Sequence, residues 1–441
     1  MAALQKKISV GDLKVGMYVS NLDRPWCETP FPLQGFYIRS DRDVQELERY
    51  CKHAFVDVKS IQKDDFEPHR VMPLKKGANR SPRVSPKREG TVVELPPIRI
   101  RNPVKYEATT SLKIEVKSAT KVREEMYGAL ENLHKNTLNG KALNIKEIAR
   151  VAGTMVDTVI RNPDALVWLS RLDDHHSRSF RHSVNASVWA LVFGRHLGLD
   201  KALLTQLSAG VMLSHVGKSR LNQLLLDKAL EELTEPEVTE YRKYVDYSVE
   251  MIEKTGNIPK SIISVIQFHQ ERHNGTGYPL GAMGDHIPLL AKIGGLVDYY
   301  QCLIEPTSMS RALSSAEAVS RLYELRNIKF QADLVERFIQ AVGVYPTGTL
   351  VELDNQEVAV VIGHNQTRRL LPKVMVVLNA DKQPCKPAKI VDLKEWNDSK
   401  KVKTTIKIKG CLAKGSYNIN VSDYLVSGAT SKWSLRHLFA S

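Results

Sequence analysis

The sequence predicts a multi-domain protein with a central all-α helical bundle, a small N-terminal α/β module and a small C-terminal β module. Three observations carry this. Apolar residues recur at helical spacing almost without a break across residues 107–346. In residues 1–65 and 347–441 the apolar pattern shortens towards a period of two. Residues 66–106 between the first two regions are basic and proline-rich. Period is the primary signal here, because a helix brings positions three and four apart onto one face while a strand alternates faces.

In the N-terminal module, "KISVGDLKVGMYVSNL" reads as a strand, a Gly-Asp turn and a second strand around "GMYV". "DRDVQELERYC" places Val44, Leu47 and Tyr50 at helical spacing, and "HAFVDVKS" reads as a strand. A module of about sixty residues buries little surface, so it is expected to pack on something else. Between Pro68 and Lys105 there are ten Lys/Arg against two Glu, with seven prolines. That composition predicts a solvated linker.

Within 107–346, "LKIEVKSATKVREEMYGALENL" is amphipathic, and "HSVNASVWALVFGRHLGL" places Val184, Val188, Leu191 and Val192 on one face. "SIISVIQFHQ" groups Ile262, Ile263, Ile266 and His269, and "SSAEAVSRLYEL" opens with Ser314 followed three residues later by Glu317, the spacing of a capping box. These segments predict a bundle of about seven or more helices. In 347–441, "TGTLVELDNQEVAVVIGH" reads as strand, Asp-Asn turn, strand, "PKVMVVLNADKQPC" repeats the idea, and a basic tail follows.

Composition excludes several classes. Hydrophobic residues make up 42% and charged residues 25% of the 441, as in an ordinary globular chain. No run approaches the roughly eighteen apolar residues of a membrane span, and the start lacks a signal-peptide pattern, so a cytoplasmic location is expected. Five scattered cysteines without a CxxC predict reduced thiols. The net charge of +14 is concentrated in 68–105 and in "KKVKTTIKIKGCLAKG". No recognition helix, RNP or zinc-finger signature accompanies it, so nucleic acid is not the expected partner.

Four polar clusters interrupt the helical region: "FRHSV" with His182, "MLSHVGK" with Ser214, His215 and Lys218, "FHQERHNGTGYP" with His269, Glu271 and Arg272, and "LVDYY" with Asp298. A bundle can converge such residues at its centre, where imidazoles and carboxylates suit Fe, Mn or Zn. Each also has a plain alternative as a hydrogen-bonded core residue.

The order of these motifs, and above all "HNGTGYPLGAMGDHIPLLAKI", resembles the HD-GYP family. These are bacterial signalling domains of the HD metal-dependent phosphohydrolase superfamily that cleave cyclic di-GMP. The N-terminal "KISVGDLKVGMYVSNLDRPW" is similar to the small domain of unknown function often found ahead of them, and "GTLVELDNQEVAVVIGHN" to the β extension that often follows. The resemblance implies an HD-type fold for the bundle and a cyclic di-GMP signalling role. It also implies which positions should hold metal, and several have changed. The His-Asp pair falls at Ser214-His215, a further histidine falls at Tyr244 with Ser248 where a glycine belongs, and the second histidine of the HHE element is Gln270. His182, His269 and Asp298 are kept, with His215 as a substitute ligand, leaving a residual site for Fe, Mn or Zn. Lys218 and Arg311 stand at phosphate-contacting positions, but Thr307 and Ser310 replace the arginines of the downstream element.

The lost aspartate matters most, because one imidazole nitrogen cannot bridge two cations as a carboxylate can. The resemblance thus implies a protein with degenerate catalytic positions Ser214, His215, Tyr244 and Gln270, acting as a receptor for cyclic di-GMP or as an adaptor. The adaptor would dock signalling proteins such as diguanylate cyclase domains through the loop carrying Glu271, Arg272, Gly275, Gly277, Tyr278 and Pro279. The alternative is an active cyclic di-GMP phosphodiesterase with an altered metal site. A third reading has the basic linker and tail binding nucleic acid or an acidic partner.

Overall fold

The structure, a computed structural model, describes residues 5–24, 36–38, 41–57, 90–138, 144–171, 176–228, 232–305, 312–365, 370–399, 405–412, 416–419, 421 and 424. These divide into two compact units. One comprises Met1–Tyr106, Met126–Val156 and His176–Val344, the other Glu107–Glu125, Asp157–His175 and Tyr345–Ser441.

The first unit opens with a four-stranded antiparallel sheet of β1 (Gln5–Ser9), β2 (Tyr18–Leu22), β3 (Phe36–Tyr37) and β4 (His53–Asp57), in the order β1-β4-β2-β3. Helix α1 (Asp41–Tyr50) precedes β4. Of the three apolar positions at helical spacing, Leu47 is fully buried and Tyr50 lies exposed near the helix end. The strands, turn and helix match the expected α/β module.

Among the described residues the long helices follow in chain order: α2 (Leu112–Leu138), α3 (Ile145–Arg161), α4 (Pro163–Ser170), α5 (Arg178–Leu197), α6 (Lys201–Leu213), α7 (Gln223–Asp227), α8 (Glu235–Arg242), α9 (Tyr244–Glu253), α10 (Lys260–Phe268), α11 (Leu289–Ile304), α12 (Ser315–Glu324) and α13 (Ala332–Val342). The centre of the first unit is built from α5, α6, α10 and α11, which pack pairwise. Helix α5 is buried on nearly every face from His182 to Gly194, which is why its apolar pattern runs almost without interruption. Ser177 and Asp200 cap α5 and α6 at their N-termini, and Gly198 ends α5 in the left-handed region. Ser314 and Glu317 form the expected capping box on α12. On α10, Val265 joins Ile262 and Ile266 in the core while Ile263 stays half-buried.

Residues 90–106 are tied to the first unit at particular points, although much of the segment stays exposed. The Val104 N–H donates to the Gly198 carbonyl at 2.8 Å, and the Tyr106 hydroxyl to the Leu199 carbonyl at 2.9 Å. An extended, proline-containing segment leaves its non-proline N–H groups without helix or sheet partners, so they are free to donate in this way. Residues 66–89 of that basic segment lie outside the described residues.

The second unit holds a five-stranded antiparallel sheet in the order β8-β7-β6-β5-β9, from β5 (Leu350–Leu353), β6 (Val358–Gly363), β7 (Lys373–Leu378), β8 (Pro384–Asp392) and β9 (Ile408–Cys411), with α14 (Leu393–Asp398) after β8. Val351, Leu353, Val361, Val374 and Leu393 are among its core. In the same unit Arg161 meets Glu115 at 2.7 Å, a pairing of α3 with α2. No helix of the described residues is long and apolar enough to cross a membrane. The architecture is mostly helical, with a small N-terminal sheet and a C-terminal sheet, as the sequence predicts.

Candidate metal centre

Asp298 sits in mid-α11, buried at 4% exposure, and three side chains converge on it. His182, one turn into α5, places Nε2 2.8 Å from Asp298 Oδ1. His215, at the end of α6, places Nε2 3.2 Å from the same oxygen, but out of hydrogen-bond alignment. Gln270 donates from Nε2 to Asp298 Oδ2 at 2.9 Å. One metal-capable atom from each of His182, His215 and Asp298 lies within 4.8 Å of the other two.

His182 also places Nδ1 3.0 Å from Glu305 Oε2. Both ring nitrogens face carboxylate oxygens, so both donate and the ring is an imidazolium. Burial pushes its pKa down, but the hydrogen bonds to Asp298 and Glu305 outweigh that and raise it to about 9. The converse holds on Asp298. Burial pushes its carboxyl up, and the two imidazoles beside it, His215 and His182, of which His182 carries the positive charge, hold it well below the usual carboxylate range. For His215, burial and then the Lys218 ammonium lower the pKa to about 3, so this ring is neutral. Its rings stack with His182 at 4.9 Å between centroids.

His269 does not join this cluster. Its Nδ1 donates to the Ile266 carbonyl at 2.7 Å, so Nε2 is an acceptor, and the Tyr244 hydroxyl donates to it at 2.9 Å. Burial lowers the pKa of His269 to about 4, in keeping with a neutral ring. Tyr244 is itself buried at the head of α9, and burial pushes its phenol well above its usual range. Ser214 turns its hydroxyl to the Val211 carbonyl at 2.8 Å. Ser248 accepts the Gly217 N–H at 2.8 Å and donates to carbonyls of its neighbours. Lys218 lies 4.9 Å above the Tyr244 ring, in a cation–π contact. Arg311, Thr307 and Ser310 lie outside the described residues.

The substituted positions therefore do more than vacate ligand sites. Tyr244 occupies the one lone pair that His269 had to offer, and Gln270 occupies an oxygen of Asp298. A second cation would have to break both hydrogen bonds. A single cation faces a different situation. His215 Nε2 is buried and without a hydrogen-bond partner, an arrangement that costs stability unless something fills it. His182 is backed by a carboxylate on its far nitrogen, the usual support of a metal-bound imidazole. The donor set fits one divalent ion on His182, His215 and Asp298, and it does not fit a pair.

The signature loop follows directly from this floor. Glu271 accepts the Leu280 N–H at 2.7 Å, and the Tyr278 N–H reaches the Gln270 carbonyl at 3.2 Å. Burial raises the Glu271 carboxyl above its usual range. Gly275 has φ +74° and its N–H donates to the Arg272 carbonyl at 2.7 Å. A Cβ on Gly277 would lie 2.4 Å from Arg272 N, Gln270 O and Glu271 Cα, so that position admits only glycine. Gly277→Ala is expected to cost about 2–3 kcal/mol in urea unfolding, since backbone and not a movable side chain stands in the way; a wild-type midpoint would show that the loop is not packed this way. Arg272 spans the loop and the centre. It donates to the His269 and Glu271 carbonyls at 3.2 and 2.9 Å, and to Gln270 Oε1 at 2.8 Å. Tyr278 and Pro279 close the loop, with Arg242 5.0 Å above the Tyr278 ring and Leu280 exposed beyond it.

Sequence reasoning missed Glu305 and Gln301. Gln301 follows Asp298 by three residues on α11 and Glu305, the residue that caps the helix, follows it by seven, and that spacing was the available signal. Gln301 accepts from the Trp189 indole at 3.0 Å, which fixes α5 against α11 beside His182.

Comparisons with known proteins agree with this architecture. Residues 5–148 match the model of a domain of unknown function, DUF3391, and residues 168–334 match that of the HD domain. A cyclic di-GMP phosphodiesterase of Pseudomonas aeruginosa is 26% identical over 88% of this chain and 89% of its own length. A second, from Borreliella burgdorferi, is 25% identical over 51% of this chain and 57% of its own length. Among solved structures, an HDG"Y"P protein from Bdellovibrio bacteriovorus aligns with a TM-score of 0.43 and 16% identity, over 76% of this chain and 98% of that one. The chain thus carries a DUF3391 domain followed by an HD domain, and the stretch "HNGTGYPLG" lies within the HD-domain match.

Proposed function

We propose that this protein acts in cyclic di-GMP signalling without hydrolysing the dinucleotide, as a receptor for it or as an adaptor that presents the signature loop. The observation that carries this reading is the 2.9 Å hydrogen bond from the Tyr244 hydroxyl to His269 Nε2. A ligand histidine whose acceptor pair is already used, beside an Asp298 oxygen held by Gln270, leaves no room for a two-metal clamp on a phosphodiester. The names of the two similar phosphodiesterases support the choice of dinucleotide.

A second reading rests on the His182, His215 and Asp298 cluster. One divalent ion, Fe, Mn or Zn, held by these three would polarise a phosphoryl oxygen or acidify a water. The chain's own chemistry works against that ion at neutral pH. With the His182 pKa raised to about 9 by Asp298 and Glu305, ligation at pH 7 must displace a proton, which weakens apparent affinity. Lys218 adds a second positive charge nearby.

Metal content and cyclic di-GMP hydrolysis, measured on one anaerobically purified preparation, separate the readings. The expected result is binding of the dinucleotide without turnover above a heat-denatured control. Turnover that scales with metal content and disappears in His215→Ala would establish the second reading instead.

A further inference from the structure

The turn between α12 and α13 holds three parts of the first unit at once. Its Arg326 forms a buried ion pair with Asp43 of α1, in the N-terminal module, and lies 3.9 Å over the Tyr323 ring. Both partners are 8% exposed. Next to it, the Asn327 carbonyl accepts the Val93 N–H at 2.7 Å, and Gln331 donates to the Pro96 carbonyl at 3.0 Å. These bonds strap residues 93–96 across the turn. On its other side the turn carries the signature loop: the His273 N–H donates to the Lys329 carbonyl at 2.9 Å, and the Asn274 N–H to the Ile328 carbonyl at 3.0 Å. The strap and the loop also meet directly, because His273 Nε2 donates to the Val93 carbonyl at 2.8 Å. His273 and Val93 are both nearly fully buried, so these polar contacts are not exchanged for water without cost.

We infer that docking of the N-terminal module and its strap is energetically coupled to the order of the signature loop, with residues 325–331 as their shared seat. The Asp43–Arg326 pair fixes where the turn sits. The turn supplies the carbonyls that hold His273 and Asn274. Arg272, adjacent to His273, then bonds Gln270, and Gln270 bonds Asp298. Releasing the module removes the partner of a buried guanidinium and strips two bonds from the strap, so the turn and the loop loosen together. By reciprocity, a ligand or partner that grips the loop tightens the module. This inference does not depend on whether the centre hydrolyses anything.

Hydrogen–deuterium exchange on the full chain tests it, using Asp43→Asn and, separately, Val93→Pro, which deletes the N–H donated to Asn327 and also fixes the strap's backbone there. Both variants are expected to speed exchange in peptides covering 270–284 by about tenfold, with α5 unchanged. If Asp43→Asn unfolds the whole chain, Val93→Pro alone decides. If exchange in 270–284 stays at wild-type rates while residues 41–57 or 90–98 exchange faster, the module and loop are independent and the inference fails.

Discussion

Asp298→Ala is expected to destabilise the protein by about 3–5 kcal/mol, the largest loss of any single change at the centre. The reason is what the carboxylate leaves behind. His182 would keep a positive charge in a buried site with only Glu305 to balance it, and removing one partner of a buried charge costs more than the pair contributes. Gln270 would lose its acceptor at the same time. Urea unfolding at pH 7 measures this, and a loss below about 1 kcal/mol would show that water reaches the centre and that the charges are not paired as described.

The pH dependence of the metal-free protein follows from the same groups. His182 has its folded pKa raised to about 9, above its unfolded value. Its contribution is complete below about pH 6.5 and is lost as pH rises through 9, up to about 3 kcal/mol. His215 and His269 are the opposite case, with pKa values lowered to about 3 and 4 by burial. Their unfolded forms take up protons that the folded forms refuse, so stability falls as pH drops below about 6.5. Stability is therefore greatest near neutrality. His182→Gln is expected to flatten the alkaline limb and leave the acid limb in place.

Restoring the family's ligand chemistry is the second large effect. A variant carrying Ser214→His, His215→Asp, Tyr244→His and Gln270→His is expected to raise metal content from at most about one ion per chain to about two. Tyr244→His is the decisive member, because it removes the hydroxyl that occupies His269 Nε2. Tyr244→Phe alone frees that nitrogen without adding a ligand and is the control. Hydrolysis is expected to gain less than metal binding, since Thr307 and Ser310 still lack the guanidinium groups that would grip phosphate. A folded fourfold variant with unchanged metal content would mean that these four side chains do not converge on one site.

Why part of this was legible in the sequence is clear from individual elements. The capping box at Ser314 and Glu317 is a local contract between four consecutive residues, so no distant partner was needed to read it. The hairpin of β5 and β6 around Asp354 and Asn355 is equally local. That His182, His215 and Asp298 could converge was legible from their places in a helical bundle, but not that His269 would stand apart from them, since that is set by how α5, α10, α11 and the turn after α6 pack. Glu305 was passed over because a glutamate near a helix end is an ordinary solvent-facing residue until another helix covers it. The docking of residues 90–106 was hidden for a similar reason. Their composition speaks of solvation, while their carbonyls and N–H groups, which every chain has, do the binding.

By itself the sequence determined the fold class, the period of most elements and the capping box of α12. Those depend on neighbours within a few residues; which positions count as changed ligands came from the resemblance. Only the tertiary structure decided what the changes mean. It turned Tyr244 and Gln270 into hydrogen-bond donors to the surviving ligands, and it made His182 a cation held between two carboxylates. It also seated the N-terminal module and the signature loop on one turn. Each of these joins residues far apart in the chain, and burial sets its strength, because a polar group removed from water takes whichever partner packing brings within reach.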